Sequence, residues 1–163
     1  MTDALQIVGL SDIGRVSNNN EDHIEIDLER GLVLLADGMG GHNAGEVASA
    51  MACQSILATM PSALADDHGL ASLQQAIESA NQVVFDHAQQ EVECAGMGCT
   101  LVACQFDRTT LTVGHMGDAR LYRLRDDSMQ LLTRDHSVLQ EYIDAGLLTK
   151  AEARHSTQKN LVT

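Results

Sequence analysis

The sequence predicts an α+β fold in which helices pack on one face of an antiparallel sheet. The order of the patterns is strands, two long helical stretches, further strands and then short helices, which differs from the regular strand–helix alternation of a parallel sheet. The glycine-rich string at 38–41 fits neither the dinucleotide-binding fingerprint nor the lysine-bearing phosphate loop. With 163 residues and 44% apolar content, the chain is expected to form a single domain over residues 1–163.

Three apolar patterns in the first 40 residues predict strands. They are Leu5 to Leu10, the alternating stretch His23 to Leu28, and the uninterrupted run Leu32 to Ala36. An uninterrupted apolar run is typical of a strand that is covered on both faces. Because the second and third strands are joined by a short turn, they are expected to pair antiparallel, which places Asp22 and Asp37 at the same end of a sheet.

Two long helices are predicted next. Apolar or small residues recur at helical spacing over 45–60, where Pro61 marks the end, and again over 69–92. Residues 93–99 contain two glycines and are predicted to form a loop. The two helices are expected to pack together on one face of the sheet.

The remainder of the chain is predicted to form four strands and two short helices. The strands are Thr100 to Phe106, Leu111 to Met116, Leu121 to Arg125 and Met129 to Leu132, and the helices run from Ser137 to about Ala145 and from Thr149 to Arg154. The sequence Gly117-Asp118-Ala119-Arg120 lies between two of these strands, so that an acid again stands beside a glycine at a strand end.

Composition excludes several classes of function. The formal net charge of −13 and the presence of only four aromatic residues argue against nucleic-acid binding and against an anionic membrane surface. A phosphate-bearing substrate would require local positive charge, most simply from metal ions. The sequence shows no basic and apolar leader and no run of membrane-spanning length, which predicts a cytoplasmic protein. The four cysteines show no zinc-site spacing and are interpreted as free buried thiols.

Asp37 is the first candidate for a functional residue, and two interpretations of it are open. Asp37-Gly38 alone fits an ordinary turn in which the acid caps the next helix. The longer string, with three glycines and His42 directly after a buried strand, is less common and favours a loop that approaches a small ion or an oxyanion. If Asp22, Asp37 and Asp118 gather at one sheet edge, their repulsion is relieved by divalent cations, and all-oxygen ligands suit magnesium or manganese.

Four motifs together resemble the bacterial metal-dependent protein phosphatases, also called the PPM or type 2C family. They are Asn20-Glu21-Asp22, the stretch Ala36-Asp37-Gly38-Met39-Gly40-Gly41-His42, Gly98-Cys99-Thr100, and the stretch Gly117-Asp118-Ala119-Arg120-Leu121-Tyr122-Arg123. Thr133-Arg134-Asp135-His136-Ser137 resembles the next landmark of that family. The resemblance covers essentially the whole chain.

The resemblance implies a four-layer sandwich of two antiparallel sheets flanked by helix pairs. It also implies hydrolysis of phosphoserine and phosphothreonine in proteins, in signalling opposed to a Ser/Thr kinase, with two or three Mn²⁺ or Mg²⁺ ions. Transferred by position, the metal ligands are Asp22, Asp37, the Gly38 carbonyl and Asp118, with Asp37 bridging two ions. Asp22, with Glu21, is expected to hold water bound to the metals, and His42 is the candidate for protonating the leaving oxygen.

Two departures from the family pattern affect these expectations. The family arginine that contacts phosphate corresponds to Ser17 here, while Arg15 stands two residues earlier. If the segment is extended, Arg15 and Ser17 share a face and Arg15 takes over phosphate binding. The alternative is that Arg15 simply faces solvent.

The second departure concerns two later family motifs, Ser-Asp-Gly and Asp-Asn, which do not occur in these residues. The resemblance therefore implies that the sequence corresponds to the N-terminal two-thirds of such an enzyme, without part of both sheets and without two metal ligands. The alternatives to an enzyme are a non-catalytic phosphoprotein-binding module, an inactive fragment, or a structural domain.

Overall fold

The computed structural model describes residues 5–40, 44–61, 69–107, 109–154, 156 and 161–163. It contains two antiparallel sheets and four helices, as the sequence predicts. The chain divides into two compact units, residues 1–114 and residues 115–163. The first unit holds 16 acidic and three basic residues, whereas the second holds seven of each, so the first unit accounts for the whole net charge.

One sheet is built from five strands. They are β1 (Asp22–Asp27), β2 (Leu32–Met39), β3 (Gly98–Cys99), β4 (Leu101–Asp107) and β5 (Thr110–Met116). The order across the sheet is β1-β2-β4-β5, and β3 pairs with the end of β2. The β1–β2 register aligns Asp22 with Asp37 and Asp27 with Leu32. The two acids therefore lie at the same end of the sheet, as the short connection predicts.

The helices α1 (Ala44–Thr59) and α2 (Gly69–Gln90) pack against one another, and α1 covers β1 and β2. The β2 residues facing α1 are Leu32, Leu34 and Ala36, and all three are fully buried. Ala44, Ala48 and Ala52 form a small-residue stripe on α1 that packs in one cluster with Val84 and Ala88 of α2, so the two helices approach closely. Since burial of apolar area is the main driving term of folding, this helix-covered face is the core of the first unit.

The second unit begins inside β5 and continues into a hairpin of β6 (Tyr122–Arg125) and β7 (Ser128–Leu131), followed by α3 (Val138–Asp144) and α4 (Lys150–Ala153). The hairpin turn places Asp126 and Asp127 at positive φ, which matches the type I′ turns that join two-residue hairpins. Ser137 and Thr149 cap α3 and α4, and Thr149 forms a full capping box with Glu152.

Two predictions about strands were wrong. Leu5 to Leu10 is not a strand; Gly9 lies against the side chains of Ile24 and Ile26, and Val8 is 94% exposed. A pattern of alternating apolar residues allows a segment to form a strand, but a strand also needs a neighbouring strand with which it can form backbone hydrogen bonds. The β2 run is buried on one face only, since Leu35 on the other face is 40% exposed.

The segment 93–99 is more regular than the predicted loop, because a 3-10 turn at Val92–Cys94 leads into β3. None of the helices in the described residues is both long and apolar enough to cross a membrane.

Candidate metal centre

The site is built on the pair Asp22 and Asp37 at the end of β1 and β2. Beyond this pair the ladder continues with the Gly38 amide, which donates to the Glu21 carbonyl at 3.0 Å. Because bonded and non-bonded pairs alternate along antiparallel strands, Asp22 and Asp37 form a non-hydrogen-bonded pair, whose Cα atoms lie about 4.5 Å apart. Both residues are exposed and project from the same sheet face. The structure thus brings two carboxylates together at one strand end.

Asp22 is oriented by a polar cluster in the segment before β1. The Ser11 hydroxyl donates to Asp22 Oδ2 at 3.0 Å, and the Asn20 amide group donates to the Ser11 oxygen at 2.9 Å. The Asn20 side chain also accepts from the Asp22 backbone N–H at 3.1 Å, an Asx turn that fixes the start of the strand. The sequence pattern gives no signal for Ser11, because its contact with Asp22 depends on how the turn-rich segment between them folds.

Gly38 contributes a carbonyl oxygen beside the two acids. The Thr100 amide bonds the Asp37 carbonyl at 2.8 Å, which makes the Gly38–Cys99 pair a non-hydrogen-bonded one. The Gly38 N–H and C=O therefore both point away from β3, toward the start of β1. The N–H is used by Glu21, and no described residue donates to the carbonyl. With Asp22 and Asp37, this oxygen completes the all-oxygen donor set that Mg²⁺ and Mn²⁺ prefer.

The glycines of the loop serve close packing between β2 and α1. A Cβ on Gly38 would lie 2.0 Å from the Gly45 carbonyl oxygen, and a Cβ on Gly40 would lie 2.8 Å from Ala44 Cβ. A side chain at Gly45 would meet the Glu21 carboxylate at 2.7 to 2.9 Å. These contacts explain the glycines by the fit of strand to helix, which the ligand-based interpretation of the loop did not anticipate.

Glu21 lies on the opposite sheet face from the acid pair. Its carboxylate rests against Gly45 in the first turn of α1, where the partial positive charge of a helix N-terminus favours an anion. Its carbonyl accepts from the buried Ser49 hydroxyl at 2.7 Å. Adjacent residues of a strand point to opposite faces, so the sequence Glu21-Asp22 already carried this signal.

Asp118 belongs to the second unit. It follows Gly117, whose φ of 87° turns the chain at the end of β5, and its carboxylate forms no hydrogen bond or ion pair with a described residue. Among the described residues, no group of three or more His, Cys, Asp or Glu side chains converges as a metal site. The carboxylates that the structure pairs are Asp22 and Asp37.

Two further residues, His42 and Arg15, are predicted for the site. His42 lies outside the described residues. Arg15 is exposed in a turn at 14–16, where Gly14 has a φ of 76°, so the segment is not extended and the shared face expected for Arg15 and Ser17 does not form. The Ser17 hydroxyl donates to the Asn19 carbonyl at 2.7 Å and is engaged locally.

The cysteine nearest to the site is a protonated thiol at neutral pH. Burial, with a smaller effect of the Asp37 carboxylate, raises the pKa of Cys99 to about 11. All four cysteines are free, as predicted, but only Cys53 and Cys104 are buried, while Cys94 and Cys99 are partly exposed. Since the thiolate is the nucleophilic form, Cys99 is unsuited to attack phosphorus.

Together, the fold and site define an α+β domain that presents two paired carboxylates and a carbonyl oxygen at the end of an antiparallel sheet. The sequence model of the protein phosphatase 2C family matches residues 11–161, and the chain belongs to this family.

The relatives are bacterial phosphatases. The chain is 35% identical to the serine/threonine phosphatase Stp of Listeria innocua over 158 residues, covering 93% of this chain and 63% of that protein. It superimposes on the crystal structure of the serine/threonine phosphatase PstP/Ppp of Mycobacterium tuberculosis with a TM-score of 0.86 and 37% identity, over 94% of this chain and 64% of the other. A structure of the PstP catalytic domain in complex with two manganese ions gives a TM-score of 0.79 at 36% identity, over 91% and 67% of the two chains. The chain thus spans less than two thirds of the Listeria protein and of the PstP/Ppp crystal chain.

Proposed function

We propose that this chain is part of an enzyme that hydrolyses phosphoserine and phosphothreonine in proteins. Support comes from family membership and from relatives named serine/threonine phosphatases. The observation that carries the proposal is the Asp22–Asp37 pair on one exposed sheet face beside the Gly38 carbonyl. Two neighbouring carboxylates and a carbonyl oxygen are a donor set that fits a hard divalent cation.

The cofactor in this proposal is Mn²⁺ or Mg²⁺, as two or three ions. Asp37 would serve two ions, Asp22 and the Gly38 carbonyl would complete their protein contacts from this unit, and Asp118 would serve a further ion. Bound ions of this kind lower the pKa of water and neutralise charge on phosphoryl oxygens. The two manganese ions of the PstP catalytic domain support this choice.

The residues of the chain have positioning roles in this reaction. Ser11, itself bonded by Asn20, holds one carboxylate oxygen of Asp22, and the close packing of Gly38 on Gly45 fixes the backbone that carries the Gly38 carbonyl. No protein nucleophile is needed, which agrees with the protonated state of Cys99. His42 remains the candidate for protonating the leaving oxygen.

We further propose that the two units belong to one phosphatase domain, since the family match runs through both. In the cell the enzyme would oppose a Ser/Thr protein kinase. The proposed location of the enzyme is the cytoplasm, whose reducing conditions agree with the four free thiols.

The test is Asp37→Asn in the complete enzyme, with Asp126→Asn at the hairpin turn as a control that also removes one carboxylate. Asp37→Asn is expected to abolish manganese-dependent hydrolysis of a phenyl phosphate ester and of a phosphothreonine peptide. Asp126→Asn is expected to retain full turnover, because Asn tolerates positive φ. Near-normal turnover by Asp37→Asn at saturating manganese would refute the assignment of the metal site.

A further inference from the structure

The turn that carries Asp118 is anchored on both sides by the segment Thr133 to Ser137. On one side, the Arg120 guanidinium forms a bidentate ion pair with Asp135, with Nε to Oδ1 at 2.9 Å and Nη2 to Oδ2 at 2.5 Å. On the other side, Gly117 is held by His136. Asp118 lies between these two anchors, and its carboxylate has no partner among the described residues.

His136 bonds both backbone groups of Gly117. The backbone N–H of His136 donates to the Gly117 carbonyl at 2.9 Å, and the backbone N–H of Gly117 donates to Nδ1 of the His136 ring at 3.3 Å. A nitrogen that accepts a hydrogen bond must carry a lone pair, so His136 is in the neutral tautomer with its proton on Nε2. A residue that bonds both the N–H and the C=O of a buried glycine fixes the two peptide groups on either side of that glycine, including the one that joins it to the next residue.

The ring of His136 lies beside the ring of His115. The two ring centroids are 4.6 Å apart at an interplanar angle of 39°. His115 Nε2 donates to the Arg134 carbonyl at 2.8 Å. His115 therefore contacts the ring of His136 without bonding Gly117.

We propose that His136 is a positioning residue for Asp118: through Nδ1 and its own N–H it holds Gly117 so that the Asp118 carboxylate is aligned for a divalent cation before the cation arrives. This inference rests on the proposed function, in which Asp118 serves a further ion. An acid whose backbone is fixed loses less conformational freedom on binding a cation than an acid on a mobile turn. Groups that orient a ligand in this way commonly change metal affinity by about 10- to 100-fold when removed.

The experiment uses the different shapes of two amides in the full chain. His136→Asn places Oδ1 where Nδ1 stands and keeps an acceptor for Gly117, whereas His136→Gln moves the amide to the position of Nε2 and removes that acceptor. The first readout is amide hydrogen exchange at Gly117 in metal-free protein. We expect protection to be retained in His136→Asn and to fall by about tenfold or more in His136→Gln.

The second readout is a manganese titration followed by calorimetry and by the Mn²⁺ spin-resonance signal. The binding event lost in Asp118→Asn defines the Asp118 site, and its affinity is expected to be about tenfold weaker in His136→Gln but near wild type in His136→Asn. His115→Gln, which keeps a donor for the Arg134 carbonyl, is the matched control and is expected to change neither readout by more than about twofold.

The following results would contradict the proposal or the ion site on which it rests. Equal Gly117 exchange in the two His136 variants would refute the anchoring, and so would an equal loss in His115→Gln. A difference in exchange with no difference in manganese affinity would refute the positioning role. If Asp118→Asn removes no binding event, the assigned ion site fails, which the metal-free exchange data separate from failure of the anchor.

Discussion

Gly38→Ala should destabilise the first unit even in the absence of any metal. The new methyl group would stand 2.0 Å from the Gly45 carbonyl oxygen and 2.8 Å from the Glu21 carbonyl oxygen. Optimal heavy-atom separations begin near about 3.5 Å, so the start of α1 or the end of β2 must move by more than about 1 Å. Both opposing atoms belong to the backbone, and no side chain can rotate away to make room.

The magnitude follows from this geometry. Overpacking in a well-packed region costs about 1–3 kcal/mol, and the rigidity of the opposing backbone places Gly38→Ala at about 3 kcal/mol. With a urea slope of about 2 kcal/mol per molar, the unfolding midpoint should fall by about 1.5 M. The assay is urea unfolding followed by far-UV circular dichroism in excess EDTA, so that metal binding contributes nothing to the measured free energy.

Gly98→Ala is the matched control on the same ladder. Its Cβ would lie 3.2 Å from Met39 Cε, the free end of a flexible side chain that can move aside. We expect a change within about 0.5 kcal/mol, since alanine also reduces the freedom of the unfolded chain. An unfolding free energy for Gly38→Ala within about 0.5 kcal/mol of wild type would contradict the packing argument.

Three other predictions concern separate parts of the molecule. Burial raises the pKa of Cys53 to about 12, so at pH 8 Ellman's reagent should label it at least about tenfold faster in urea than in the native protein, and equal rates would mean that the thiol is accessible. Gln105 is 1% exposed and its amide has no partner among the described residues, so Gln105→Met should raise the urea unfolding free energy by about 1–2 kcal/mol, and a decrease would show that the amide is paired. In the complete enzyme, Ser17→Arg should lower KM for a phosphopeptide by about tenfold or more through a charge-assisted contact; if it has no effect while Arg15→Ala raises KM strongly, Arg15 already binds the phosphate.

Most elements could be predicted from the sequence because their signals are local. The boundaries of α1 and of the hairpin strands follow from apolar periodicity, Pro61 and the Asp126-Asp127 turn, and the structure reproduces them within about two residues. Leu5 to Leu10 could not be judged correctly, since strand formation depends on a pairing partner that is distant in sequence. The two-residue strand β3 is too short to leave a periodic signal.

The candidate site also has parts that local sequence signals predict and parts that they do not. The adjacency of Asp22 and Asp37 follows from a short connection between antiparallel strands, and the register confirms it. The role of Gly38 in packing depends on its contact with Gly45. This contact joins the strand to the following helix, and the strand pattern around Gly38 does not predict it. The contact of Ser11 with Asp22 spans 11 residues of sequence, and the contact of His136 with Gly117 spans 19. Both contacts depend on side-chain geometry, about which residue spacing carries no information.

The concentration of all net negative charge in residues 1–114 has a consequence for the ionic atmosphere of the acid pair. A surface of this sign enriches divalent cations from dilute solution and depletes free phosphate anions near the same strand end. In the proposed phosphatase reaction, this long-range field would drive released phosphate outward and draw incoming metal in. Both effects weaken as salt shortens the screening length to about 10 Å at 0.1 M, so phosphate would inhibit the proposed reaction more strongly as ionic strength rises.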